Sequence, residues 1–425
     1  MWLALLVLGA LFPATAAPRP NVVVVVVDAL RADHLGAYGY TRRPTTPNLD
    51  RFAGRSVVFE HCLAQGGWSV PSMASFFSGV DPQAHQVLRY NPVARLEFDT
   101  LRAGETTFAE VFQAAGYQTV ALKKTVVLDP ARGMMQGFDV ARIVGGDMAE
   151  GRSAAELTDA ATAWLDGERD PARPFLLYLH YMDPHSSYRA PEPFYSQWTG
   201  GYDGPLTGDH MEIERWFVSG ERVPTRADVR HLRALYDAEI AYWDQEFGRL
   251  MQRLVVSGLD TNTIVVVTAD HGEALYEHRQ WFHGDVWLEN LRVPFLMKVP
   301  GVAAARYDHW TQLIDIAPTL TDLVGLPAGP RWMGRSQASV IGGGPPLVGP
   351  VYGEYGALQT LITPEGLKLT RSEGGLSLFN LAADPHERTD LGPVRGLLVD
   401  RLLPQLDARV RLGLALAPVA DVDAP

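Results

Sequence analysis

Cysteine is almost absent. Cys62 is the only one in 425 residues, which excludes intrachain disulfides, and its place after Val57-Val58-Phe59 marks a buried thiol. Positive charge is also scarce, with 37 Lys and Arg against 49 Asp and Glu and a net charge of -12. That balance argues against nucleic acid or an anionic membrane surface as a partner. Long apolar runs are missing too, since no stretch reaches the roughly 18 residues that a spanning helix needs. Met1 to Phe12 is a shorter apolar run, followed by Pro13 and Ala14-Thr15-Ala16-Ala17, the small-residue pattern of a cleavage site. No Lys or Arg precedes the run, but residues 1–17 still read as a signal peptide. The expectation is an exported protein, periplasmic or secreted, without membrane contact beyond export. Repeats are absent, and low complexity is confined to the Ala/Pro-rich tail.

What remains is a chain that is 47% hydrophobic and 20% charged, ordinary for a well-packed globular protein. The length suits one large α/β domain and a smaller one. The informative stretch is Thr263-Ile264-Val265-Val266-Val267-Thr268-Ala269-Asp270-His271-Gly272-Glu273. A β-branched run that ends abruptly in a carboxylate, an imidazole and a glycine is the pattern of a central parallel strand delivering ligands at its C-terminal end. Asn21 to Val27, ending in Asp28, has the same shape. Two such strands, far apart in sequence, predict two halves of a metal site around Asp28, Asp270 and His271. The competing reading is that each Asp merely caps the loop that follows.

Phe175 to Tyr181 predicts a third buried strand, followed by Asp183-Pro184-His185. His185, in the loop, is available to a ligand, whereas His180, inside the strand, reads as a satisfied core histidine or one supporting a ligand from behind. Pro71 and Gly79 bracket a helix over Val70–Ser78, which puts Ser69 at its N-cap, facing free amides and the positive end of the dipole. Serine is favoured there whatever the function, so spacing alone does not separate a cap from a nucleophile. Lys123-Lys124 ends another strand, as solvated edge charge or as a contact for an anion. Ser186 to Ala227 reads as a long irregular insertion shaping a substrate pocket. Its Tyr188, Phe194, Tyr195, Trp198 and Tyr202 suit stacking on a sugar or aryl group, or a small core of the insertion's own, the preferred reading. His231 to Leu254 has clear helical spacing, with Asp237, Glu239 and Asp244 on its polar or supporting face. After the Gly/Pro-rich stretch 342–350 come short antiparallel strands and a helix near Arg395–Arg411, expected to kink or break at Pro404.

These motifs occur together in one recognisable order. Val27-Asp28-Ala29-Leu30-Arg31-Ala32-Asp33-His34-Leu35-Gly36, Pro47-Asn48-Leu49-Asp50, Trp68-Ser69-Val70-Pro71-Ser72, Leu179-His180-Tyr181-Met182-Asp183-Pro184-His185, Thr268-Ala269-Asp270-His271-Gly272-Glu273, Ile314-Asp315-Ile316-Ala317-Pro318-Thr319 and Leu378 to Pro385 resemble the sulfatase family of the alkaline phosphatase superfamily. The resemblance covers about Asn21 to Leu391. It implies an α/β fold with a large, mostly parallel sheet between helices and a small C-terminal antiparallel-sheet subdomain. The expected division is a signal peptide at 1–17, a catalytic domain at 18–341, the small subdomain at 351–411 and a tail at 412–425. It further implies a hydrolase of sulfate esters, or of related phosphate or phosphonate esters, on a small-molecule or saccharide substrate. Asp28, Ser69, Asp270 and His271 match the ligands of one divalent ion (Ca, Mn or Zn), Ser69 matches the nucleophile, and Lys124, His185 and His283 match groups that contact the ester.

Four positions depart from the pattern. Met73 replaces the arginine of the C/S-x-P-x-R motif that guides oxidation of the nucleophile to formylglycine, which favours an unmodified Ser69. Val126 stands where many sulfatases have His, Ala29 replaces a second early aspartate, and His271 replaces a late Asn. The last two resemble the phosphonate monoester hydrolase branch and favour manganese or zinc over a calcium-type, all-oxygen site. Two other functions stay open: an impaired enzyme that serves as a binding protein, on the evidence of Ala29, Met73 and Val126, and a transferase of phospho-headgroups like some exported relatives of the family.

Overall fold

The computed structural model describes residues 19–88, 99–145 and 154–418; the expected signal segment and the end of the tail lie outside the described residues. Strands β1 (Asn21–Val27), β2 (Val57–Leu63), β3 (Gln118–Lys123), β4 (Val140–Ile143), β5 (Phe175–Tyr181) and β6 (Thr263–Ala269) come first. A short ribbon, β7 (Ala274–Leu275) and β8 (Trp281–Phe282), separates them from β9 (Arg292–Lys298) and β10 (Ala305–Gln312). Eight strands form one sheet in the order β10-β2-β9-β6-β1-β5-β3-β4, in which β9 alone runs antiparallel.

The valine run explains why β1 lies near the middle. Val22 to Val27 are all fully buried, as β-branched residues with no polar face must be when helices cover both sides of the sheet. Tyr178 of β5 packs on Phe76 and Phe77 of helix Ser69–Ser78 on one side. Three residues on, Tyr181 meets Thr158 and Trp243 of the helices on the other. Val27 pairs with both Ala269 and Tyr181, so Asp28 and Asp270 leave the sheet side by side at the same level.

The long helix Arg226–Val256 starts earlier than its apolar period suggests. Its first turn is polar and is fixed by a capping box between Thr225 and Asp228. The acids on this helix tie down the loops that follow β1. Asp237 takes bonds from His34, Tyr40 and Arg43, each at 2.6 Å, and Asp244 accepts the backbone N–H groups of Asn48 and Leu49. The segment 186–227 is more regular than expected, with helices Phe194–Thr199 and His210–Ile213. Its aromatics lie against the long helix: Tyr188 meets Tyr236 edge-on, Phe194 meets Tyr242, and Tyr202 stacks on His231 at 3.9 Å.

Strands β11 (Val351–Tyr355), β12 (Leu358–Ile362), β13 (Leu367–Ser372) and β14 (Gly375–Asn380) form a separate antiparallel sheet. Helix Gly396–Leu416 covers it and runs through Pro404 without ending there, against expectation. Leu402 and Leu406, on either side of the proline, are buried with Tyr352, Leu361, Leu369 and Leu378, and that packing offsets the hydrogen bond lost at proline. This sheet reaches the main body through a buried ion pair. Lys368 bonds Glu387 and the Val286 carbonyl, and Glu387 accepts the Leu288 N–H, with both charged side chains fully buried. Glu387→Ala is expected to cost roughly 3–5 kcal/mol, because it strands a buried ammonium. Lys368→Met/Glu387→Leu should recover a good part of that loss in denaturant titrations.

Candidate functional site

Asp28 and Asp270 end β1 and β6 and are buried together. One oxygen of Asp270 accepts two backbone N–H groups, from Ala29 at 3.1 Å and from His271 at 2.8 Å. Its other oxygen, and Oδ1 of Asp28, have no hydrogen-bond partner among the described residues. Two buried carboxylates with an idle oxygen each are costly unless a cation or donor lies between them. Asp270 is accordingly pushed up by burial and by its neighbour Asp28. Burial acts the same way on Asp28, but His185 and the hydrogen bond from His180 outweigh it and hold that carboxyl well below the usual range.

Ala29 makes the local geometry. Its φ of 59° turns the chain sharply, so that its N–H meets Asp270 while its carbonyl accepts the Tyr236 hydroxyl at 2.7 Å. Gly272 is required on the other strand, because a Cβ there would lie 2.0 Å from the Glu289 carbonyl oxygen.

His271 donates Nδ1–H to the Gly272 carbonyl at 2.8 Å, which leaves its Nε2 as a bare lone pair. That Nε2 lies 3.1 Å from Ser69 Oγ, 3.4 Å from Asp270 Oδ2 and 3.7 Å from Asp28 Oδ1. Ser69 is the first helical residue and not the N-cap, a place Trp68 holds without a side-chain bond. The serine hydroxyl therefore does not cap the helix; it faces His271. Beyond His271 the rings continue in a row, to His283 with centroids 4.3 Å apart and on to His185 at 5.2 Å. His283 is bonded to buried Glu273 at 3.3 Å. Burial lowers its pKa, but the charge and hydrogen bond of Glu273 prevail and raise it.

Six of the seven residues singled out from the sequence thus stand together: Asp28, Ser69, His185, Asp270, His271 and His283. Lys124 is elsewhere occupied, since its ammonium bonds Glu156. Its neighbour Lys123 is fully buried with no partner for Nζ among the described residues. It pairs in register with His180, at the level of Val26 and so two residues short of the level at which Asp28 and Asp270 leave the sheet. Burial lowers the Lys123 pKa to about 8, against the opposing pull of Asp129. An ammonium less basic folded than unfolded destabilises the fold fully below pH 8, and stability should rise from there toward 10.5, the ordinary lysine value. Lys123→Met should remove that rise and add about 1 kcal/mol at pH 7, allowing for solvent screening, in thermal melts across the range.

His180 was not expected as a direct participant, yet its ring lies with Asp28 and Asp270 such that one ligand atom of each falls within 4.8 Å of the others. The signal was present in the alternation of the strand, because Val26 pairs with His180 and Asp28, two residues on, shares its face. Of the departures, Met73 is fully buried and Val126 half-buried.

Two aspartates and a histidine at the strand ends of a mostly parallel sheet, with a serine at a helix start, are the groups of a candidate hydrolase site, and the eight-stranded sheet with a separate antiparallel sheet matches an alkaline-phosphatase-like α/β fold. Residues 20–326 match the family model for Sulfatase, and the chain belongs to the sulfatase family, hydrolases of sulfuric esters. The chain is 27% identical over 420 residues to the Delta 4,5-hexuronate-2-O-sulfatase of Bacteroides thetaiotaomicron, covering 89% of this chain and 85% of that protein. Among solved structures it resembles a 2-O GAG sulfatase, with a TM-score of 0.76 at 23% identity over 93% of this chain and 92% of the other. It also resembles the phosphonate monoester hydrolase of Agrobacterium radiobacter, with a TM-score of 0.74 at 22% identity over 92% and 96%. At those identities the two structures speak for the fold. No helix among the described residues is long and apolar enough to cross a membrane.

Proposed function

We propose that the protein is a metal-dependent hydrolase of sulfate esters, or of related phosphate or phosphonate esters, with unmodified Ser69 as nucleophile. The observation that carries this reading is the Ser69 Oγ to His271 Nε2 contact of 3.1 Å beside two idle carboxylate oxygens. The donor set fits a divalent ion: Asp28, Asp270 and His271 would hold it, with Ser69 Oγ completing the set. When bound, such an ion lowers the pKa of the serine hydroxyl and draws charge from the tetrahedral group.

The remaining chemistry belongs to the side chains. Ser69 enters as its alkoxide, and its bond to sulfur or phosphorus forms as the bond to the leaving oxygen breaks. His283, made more basic by Glu273, hands its proton to that oxygen. Water then cleaves the serine ester, and His283 takes up the proton lost. His185 lies beside His283 and helps hold the anionic oxygens. Lys124 reaches substrate in this reading only by leaving Glu156. A small molecule or saccharide as the ester's other half is supported by the name of the hexuronate sulfatase relative, and export by residues 1–17.

The test is hydrolysis of matched p-nitrophenyl sulfate, phosphate and phenylphosphonate esters with manganese, zinc or calcium, beside Ser69→Ala. Turnover lost in the variant supports the proposal, and the preferred ester fixes the branch. The mass of the Ser69 peptide reports formylglycine directly; loss of two hydrogens there would overturn the unmodified nucleophile.

A further inference from the structure

His180 offers an imidazole nitrogen to the same space as Asp28 and Asp270, and two roles compete for it, ion ligand or support. Its two hydrogen bonds decide between them. Nδ1 lies 2.7 Å from the Tyr178 hydroxyl, and Nε2 lies 3.2 Å from Asp28 Oδ2. Tyr178 is fully buried, with Phe76, Phe77 and Phe138 around its ring, and His180 is the only hydrogen-bond partner of its hydroxyl among the described residues. If His180 Nδ1 donated to Tyr178, the tyrosine proton would be stranded in an aromatic pocket, a loss of a whole buried bond. The bare Nε2 lone pair would also face a carboxylate lone pair. With the other tautomer every group is satisfied: Tyr178 O–H donates to Nδ1, and Nε2–H donates to Asp28 Oδ2.

We propose that His180 is a positioning residue, the middle of a relay Tyr178 O–H to His180 Nδ1 and His180 Nε2–H to Asp28 Oδ2, which aims Asp28 Oδ1 at the divalent ion and leaves His180 outside the ligand set. The inference rests on the metal reading above. It gives Tyr178, too far back in the strand to reach substrate, a part in the site. It also accounts for the idle state of Oδ1 alone: one Asp28 oxygen is held, and the other is presented. The need is sharper here because Ala29 supplies no second carboxylate, so the aim of Asp28 matters more to the affinity.

The test uses full-length protein with 15N-labelled histidine, titrated with zinc and followed through the ring nitrogens, with zinc affinity measured by calorimetry. The relay requires that His180 carry its proton on Nε2 without zinc and keep it with zinc, while the His271 Nε2 signal moves to the metal-bound range. His180→Ala should weaken zinc binding about 10–100-fold. His180→Gln should restore most of that loss, because its amide can donate to the same oxygen. Tyr178→Phe should weaken binding and release the tautomer to a mixture. Movement of the His180 Nε2 signal into the metal-bound range overturns the proposal, as does a metal-free ring protonated on Nδ1. Absence of zinc and manganese binding in the unaltered protein overturns the metal reading and the positioning role with it. That failure is told apart from failure of the relay, because the ring signals of the metal-free protein report the tautomer by themselves.

Discussion

Ser69→Ala is expected to lower kcat/KM for the best ester by roughly 10⁴-fold or more, the scale seen when a nucleophile is removed from a unit that acts together. The chain should stay folded. Ser69 caps nothing, Trp68 being the N-cap, so the helix loses no bond at its start. The one hydrogen bond removed is the contact to His271 Nε2, and an unpartnered imidazole nitrogen costs about 1–3 kcal/mol. The ion should give that nitrogen a partner again, so metal should raise the variant's stability, by less than it raises the wild type, which keeps Ser69 as a ligand. Steady-state rates, together with melting curves with and without metal, separate the two effects. A variant that keeps the wild-type rate would remove Ser69 from the mechanism. A large fall in stability that metal does not repair would mean that lost rate reflects lost fold.

Much of this site was legible because burial on both faces is written into composition. The runs Val22–Val27 and Ile264–Val267 have no polar face, so they could only be inner strands, and a residue that breaks such a run at its C-terminal end has few places to go. Asp28, Asp270 and His271 follow from that. Ser69 was found as a position but not as a state. The expected helix began one residue too late, since Trp-Ser before Val-Pro gives no local reason to prefer one N-cap over the other, and tertiary contact with His271 settles it. The choice between two adjacent lysines illustrates what a pattern cannot carry. Lys123 and Lys124 point to opposite faces of the sheet. Only the positions of Glu156 and of the His180 strand show that the first is buried with no hydrogen-bond partner for its ammonium among the described residues and the second is paired. The helix near Arg395–Arg411 is present, and it continues through Pro404 for a related reason: local propensity argues for a break there, and the burial of Leu402 and Leu406 overrides it.

Asp270→Asn should separate what is good for the fold from what is good for the site. The wild-type carboxylate accepts the Ala29 and His271 N–H groups through Oδ1, and the asparagine carbonyl can accept both in the same place. The amide nitrogen then stands where the idle Oδ2 was, toward the equally idle Oδ1 of Asp28, and turns a repulsion between buried carboxylates into a donor facing an acceptor. Without metal the variant should therefore be more stable than wild type, by about 1–2 kcal/mol. With metal the order should reverse. An amide nitrogen is no ligand for a divalent cation, so affinity should fall by about 10³-fold or more, and the stabilisation that saturating ion gives to the wild type through mass action should nearly vanish. Activity should fall with the bound ion. Four melting curves, wild type and variant with chelator and with manganese or zinc, decide it. If the variant melts below wild type in chelator, the idle oxygens are not in conflict and the electrostatic account of Asp28 and Asp270 fails. If manganese or zinc raises both proteins equally, the ion binds somewhere other than between these two carboxylates.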